Sequence, residues 1–163
     1  AADALWSASG VAYVAFFGSF LVLLREQPEG RWWMYLAVLS TFAVDTAAYF
    51  TGRAIGRRPL APRISPKKTV EGFLGGWAFG AVTVFVLSLV LEDLPLDVGE
   101  AAVLGLLLPL AATAGDLLES GMKRLMQIKD ASELIPGHGG ILDRLDSIFL
   151  TVPLVFLFSE FVV

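Results

Sequence analysis

Four stretches of this chain, Ala4 to Leu24, Trp32 to Phe50, Phe73 to Leu91 and Ser147 to Val163, are apolar over the length a helix needs to cross a bilayer. Nothing else constrains the fold as strongly, because backbone polar groups in hydrocarbon must pair within their own segment. A fifth stretch, Ala101 to Ala114, is short for a span. It is completed by running on as helix through Gly115 and Asp116, with Pro109 as a point of kinking. The fold class expected is all-α: a polytopic membrane bundle of about five transmembrane helices, with two functional cytoplasmic loops and an amphipathic helical segment. Residues 1–163 are read as a single membrane-embedded domain.

The composition agrees, with 56% hydrophobic and 17% charged residues. There are no cysteines, which removes disulfides and thiolate metal sites. The chain opens AADALW, and its first apolar stretch lacks a basic leader, so a cleaved signal peptide is not expected. A portion of a longer polytopic protein is. Trp6, Trp32, Trp33 and Tyr35 lie near span ends, where an aromatic belt would place them.

Charge sets the expected topology. Residues 51–72 hold six Lys/Arg against one acid, and residues 115–146 hold four Lys/Arg and six acids. With five spans these long connections share a side, and the Lys/Arg excess assigns them to the cytoplasm. In the third span Gly72, Gly76 and Gly80 recur every four residues, a spacing that favours close helix packing.

Polarity is concentrated in a few places. In GDLLESGMKRLMQIKD, helical spacing puts Asp116, Glu119, Ser120, Lys123, Gln127 and Asp130 on one face and leucines, methionine and isoleucine on the other. That pattern suits a helix lying on the membrane with a solvated polar face. Nearby, PGHGGILDRLD places Asp143 and Asp146 three residues apart, a like-charge pair that destabilises a helix unless a cation sits between them. They can simply be acids at a helix start. The sharper reading is a divalent-metal site with Asp116 as a third donor; all-carboxylate ligation suits magnesium or manganese rather than zinc. Pro136 and Gly137, Gly139 and Gly140 make a backbone-exposed loop suited to an anion, and leave His138 uncovered for phosphate contact or proton handling.

The other long connection, RRPLAPRISPKKTVEG, is broken by Pro59, Pro62 and Pro66. Its cations can be a topogenic signal or a seat for anionic head groups. Ser65, Lys67, Lys68 and Thr69 also fit a phosphate-gripping loop. Asp45, with Thr41 and Tyr49 one turn away, is a costly intramembrane carboxylate and should face a polar interior.

The run SGMKRLMQIKDASELIPGHGGILDRLD, residues 120–146, closely resembles the signature of the phosphatidate cytidylyltransferases, or CDP-diacylglycerol synthases. The matching positions are Ser120, Lys123, Arg124, Lys129, Asp130, the Pro136 to Gly140 loop, Asp143, Arg144 and Asp146. SPKKTVEG resembles the family's second cytoplasmic motif, and the likeness runs over residues 32–163. Family members usually begin with further membrane helices.

The resemblance implies transfer of a cytidylyl group from CTP to phosphatidic acid, giving CDP-diacylglycerol and pyrophosphate. It implies magnesium, as one or two ions with manganese able to substitute, in a bacterial-type cell membrane with the site on the cytoplasmic face. Asp116, Asp143 and Asp146 are then the metal ligands. Lys67, Lys68, Lys123, Arg124 and Arg144 neutralise phosphates, and Ser65, Ser120 and His138 supply hydrogen bonds. Asp45, Glu71, Lys129 and Asp130 come second, with Lys129 a further substrate contact. CTP, phosphatidic acid and the bilayer are the expected partners, with a homodimer allowed and nucleic acid not expected. The rivals are another CTP-using lipid enzyme, such as a polyprenol kinase or an archaeal-lipid cytidylyltransferase, and a small cation transporter.

Overall fold

The computed structural model describes residues 2–126 and 145–162, with side chains from residue 8 onward. The described elements are α1 (Ala2–Glu26), α2 (Gly30–Ile55), β1 (Pro59–Ala61), β2 (Ser65–Thr69), α3 (Val70–Val90), α4 (Val98–Leu125) and α5 (Ile148–Val162). The first four helices are long and apolar enough to cross a membrane, and α5 is a shorter apolar helix of 15 residues.

The polarity of the bundle is that of a chain folded in lipid. Phe16, Phe79, Leu89 and Leu106 point outward, whereas Ser40, Thr41, Glu119, Ser147, Thr151 and Ser159 are buried. Thr41 donates to Thr151 across the α2–α5 contact at 2.9 Å, so those interior hydroxyls are paired. Leu36, Val44, Val84, Leu104, Leu108 and Val152 form the apolar centre.

Small residues bring the backbones together. The Gly72, Gly76 and Gly80 stripe lies against α2 within the same chain. A β-carbon at Gly72 would stand 2.8 Å from the Ala48 carbonyl, and one at Gly76 would stand 2.8 Å from both Ala48 Cβ and the Val44 carbonyl. On α4, Gly105 meets Ala81 of α3 in the same way, 3.1 Å from its carbonyl. Packing of this kind replaces apolar burial as the driving force in lipid.

Helix starts follow local chemistry. Asp97 and Glu100 form a reciprocal cap at α4, each accepting from the other's backbone N–H at 2.8 Å. Two of the four acids in the Glu92 to Glu100 connection are thereby used. Thr69 caps α3 by accepting from the Gly72 N–H at 3.1 Å.

Three expectations change. Trp33 belongs to the core, fully buried, and not to an aromatic belt. The side chain of Trp6 lies outside the described residues. Residues 116–125 are not a separate surface helix but the last turns of α4, and their polar face is turned inward: Glu119 is 1% exposed, whereas Leu118 and Leu125 are 42% and 75% exposed. The physical reason is the medium, since beside lipid it is the leucines that face out. The proline-broken connection holds an antiparallel hairpin, with Pro59 opposite Thr69 and Ala61 opposite Ser65.

Candidate active site

At one end of the bundle the C-terminus of α2, the β1–β2 hairpin, the start of α3, the last turns of α4 and the entry to α5 converge. The approach is close because glycines permit it. A β-carbon at Gly52 would lie 3.0 Å from Thr69 Oγ1 and 3.5 Å from Gly72 Cα, and one at Gly115 would lie 2.6 Å from the Asp146 carbonyl oxygen. Gly115 therefore sets α4 directly against the Asp146–Ser147 backbone that leads into α5, one residue before Asp116.

The convergence encloses a cavity of about 560 Å³. Its polar wall is Asp45 from α2, Lys67 and Lys68 from β2, Asp116 from α4 and Asp146 before α5; Val44 and Phe73 supply apolar lining. Lys68 forms an ion pair with Asp116. Ser120, one turn further along α4, donates to Asp116 at 3.3 Å. Ser147 links the other two carboxylates. Its backbone N–H donates to Asp146 at 2.7 Å, and its hydroxyl lies 3.3 Å from Asp45.

Burial and the nearby Asp116 carboxylate push the Asp146 carboxyl above the ordinary carboxylate range, against the pull of the Ser147 N–H. Two carboxylates held this way repel, and a cation between them relieves the repulsion. Hard carboxylate oxygens also make a donor set that fits magnesium. Among the described residues no three Asp, Glu, His or Cys side chains converge to hold a metal ion. Asp143, the third ligand of the expected set, lies outside the described residues. So do His138, Lys129, Asp130 and Arg144.

The remaining expected residues sit near the cavity without lining it. Lys123 pairs with Glu119 at 3.3 Å. Arg124 donates through Nε to the Ile64 carbonyl at 3.2 Å, which fastens α4 to the hairpin turn, and Ser65 lies at the start of β2. Glu71 accepts from the backbone N–H groups of Arg57 and Arg58 at 3.0 and 3.1 Å, so it holds the entry to the hairpin. Two residues escaped the sequence reading. Arg53 lines the cavity and donates to Tyr49 at 2.9 Å; the signal for it was the four-residue spacing of Asp45, Tyr49 and Arg53 along one helix face. Glu119 was visible only as one polar residue among several.

A helical bundle with an apolar exterior and a charged cavity at one end defines an integral membrane protein. The chain belongs to the Cytidylyltransferase family, whose sequence profile matches residues 1–162. It is 37% identical over 153 residues to a phosphatidate cytidylyltransferase of Staphylococcus saprophyticus, covering 94% of this chain and 58% of that protein. It is 43% identical over 155 residues to one of Brucella melitensis, covering 94% and 57%. The chain thus spans a little over half the length of these relatives. Among solved structures it resembles an intramembrane enzyme for archaeal membrane lipid biosynthesis, with a TM-score of 0.60 and 23% identity over 77% of each chain. That likeness shows the fold.

Proposed function

We propose that this chain carries the site at which a cytidylyl group passes from CTP to phosphatidic acid, giving CDP-diacylglycerol and pyrophosphate, on the cytoplasmic face of the membrane. The observation that carries the reading is one cavity, among the described residues, lined by two lysines of the hairpin and by three carboxylates, from α2, from α4 and from the residues just before α5. Family membership and the names of the relatives support it. The face is inferred from the six Lys/Arg between Thr51 and Gly72, at the cavity end.

The chemistry asks little of a base. The phosphatidate oxygen is already anionic at neutral pH and attacks the α-phosphorus of CTP; the bond to the β-phosphate oxygen breaks, and pyrophosphate leaves with the electron pair. The difficulty is holding two polyanions together while charge shifts onto the leaving group. Lys67 and Lys68 supply positive charge at the cavity wall, and Lys123 is one turn beyond Ser120 on α4. Asp116 and Asp146 would hold magnesium together with Asp143, and bound there it would neutralise phosphate oxygens and orient them. Ser147 and Ser120 fix the carboxylates in place. Val44 and Phe73 keep one side of the cavity apolar, the side suited to the lipid end of an acceptor.

The test uses purified full-length protein in detergent with magnesium, phosphatidic acid and CTP labelled at either the α- or the γ-phosphorus. Label from the α-position in the organic phase, with pyrophosphate released, is the expected result. Label from the γ-position in lipid, with CDP released, would mark a kinase and refute the reading.

A further inference from the structure

We infer that Arg53 and Tyr49, at the mouth of the cavity, seat the phosphate of the lipid acceptor, and that Arg53 sets the preference for a lipid ending in a phosphomonoester. The inference rests on the cytidylyl-transfer reading above and deepens it, because it assigns the charged end of the lipid to residues apart from the carboxylates.

The geometry comes from one face of α2. Asp45, Tyr49 and Arg53 follow one another at four-residue spacing, and all three line the cavity. At about 1.5 Å of rise per residue, Arg53 stands about 12 Å along the helix from Asp45. Burial falls off in the same direction: Val44 is buried and Asp45 half-buried, whereas Tyr49 and Arg53 are exposed, so Arg53 is at the open end. Arg53 Nη1 donates to the Tyr49 hydroxyl at 2.9 Å. Having accepted that bond, Tyr49 keeps its own O–H proton to donate, and the guanidinium keeps further N–H groups. Among the described residues Arg53 has no carboxylate partner, unlike Lys68, which is paired with Asp116.

Two observations choose the lipid over the nucleotide. Tyr49 and Phe50, with ring centroids 5.4 Å apart, are 58% and 64% exposed on a helix long and apolar enough to cross the membrane, so this side of α2 faces acyl chains. Arg53 lies in the last turn of the same helix, where an arginine reaches head-group depth, and so stands where the cavity wall meets the lipid surface. The second observation is the apolar lining: Val44 and Ala48 of α2 and Phe73 of α3 continue the cavity wall away from the charges. A phosphomonoester offers several free oxygens to a planar guanidinium fork and an adjacent hydroxyl, and a diacylglycerol offers none. An arginine kept only as a topogenic charge would need neither the cavity nor the tyrosine.

Arg53→Gln, Arg53→Lys and Tyr49→Phe in the full-length protein test this. In mixed micelles the KM for phosphatidic acid, as its mole fraction of the surface, and the KM for CTP are read separately. A second assay, without CTP, compares binding of a fluorescent phosphatidic acid with that of the matching fluorescent diacylglycerol. Arg53→Gln should raise the KM for phosphatidic acid roughly 10- to 100-fold, leave that for CTP within about twofold, and lose the preference for phosphatidic acid over diacylglycerol. Arg53→Lys, which keeps the charge and loses the fork, should fall between Gln and wild type. Tyr49→Phe should raise the KM for phosphatidic acid roughly 3- to 10-fold. In a folded Gln variant, an unchanged KM for phosphatidic acid, a rise confined to CTP, or an equal rise in both would overturn the inference. Should Gln not fold, the Lys variant decides, and wild-type values there would overturn it. If the unaltered protein moves no label from CTP to lipid, the transfer reading fails on its own, and the binding assay still tests Arg53. Equal binding of the two lipids by the unaltered protein would overturn the inference as well.

Discussion

Adding one methyl group at Gly76 tests whether backbone contact between α2 and α3 builds the site. A β-carbon there would sit 2.8 Å from Ala48 Cβ, 2.8 Å from the Val44 carbonyl and 3.3 Å from Ala48 Cα. Carbon atoms pack best at about 3.5–4.0 Å, so the helices must part by roughly 1 Å. Overpacking of this kind costs about 1–3 kcal/mol. An alanine also gains helix propensity over glycine, by about 0.5–1 kcal/mol, which must be subtracted. Gly18 on α1 supplies the control, because a β-carbon there meets nothing within 4 Å. Both substitutions carry the same propensity gain, so their difference isolates the packing term. The prediction is that Gly76→Ala is less stable than Gly18→Ala by about 1–3 kcal/mol. The assay is reversible unfolding in mixed micelles with rising sodium dodecyl sulfate, followed by tryptophan fluorescence and circular dichroism. Because Val44 and Ala48 also line the cavity, turnover should fall in the Gly76 variant and not in the Gly18 variant. Equal stability of the two would refute the argument that this stripe is an interface within the chain.

Lys68→Met removes the partner of Asp116 and a cation of the cavity wall, and kcat/KM for CTP should fall roughly 10²-fold, with Lys68→Arg less affected. Asp97→Ala breaks the reciprocal cap at the far end of α4 and should cost about 0.5–2 kcal/mol in the same unfolding assay while kcat is unchanged. For Asp146→Asn the sign follows from a carboxyl held above its unfolded value, whose ionisation the fold disfavours, so metal-free stability is lost as pH rises. The Asn variant should therefore be more stable than metal-free wild type at pH 7, with the advantage fading below about pH 4, and it should transfer no cytidylyl group.

The membrane helices were legible because a crossing segment needs about twenty apolar residues in a row, a signal that survives without any knowledge of packing. The end of α4 was legible as helix but not as to what covers its polar face. Leu118 and Leu125 read as the face toward the membrane, and the opposite face, with Glu119, read as solvated. The leucines do face out, but packing of α4 into the bundle buries Glu119, and the spacing alone does not say that a neighbour covers that face. The hairpin was hidden for another reason. Its strands are only three and five residues long and contain Pro59 and Pro66, and they are held by contacts from elsewhere: Glu71 on the Arg57 and Arg58 N–H groups, Arg124 on the Ile64 carbonyl. No local propensity announces a pairing that depends on groups 13 to 60 residues away.

Charged residues in a membrane protein need a reason to be near one another, since like carboxylates repel and each loses hydration on burial. Here glycine supplies it. Gly115 admits the Asp146 backbone against α4, and Gly52 and Gly72 admit the hairpin's Thr69 between α2 and α3. The carboxylates are thus pressed together by backbone contact, at positions their own electrostatics would reject, and Lys68 is carried in on the strand that ends at Thr69. On the proposed reading, a site assembled in this way would receive a cation and phosphate oxygens without first rearranging, because the carboxylates already stand together. It follows that enlarging Gly115 should do more harm to cation affinity than to folding of the apolar helices, since what it disturbs is the distance between two charges.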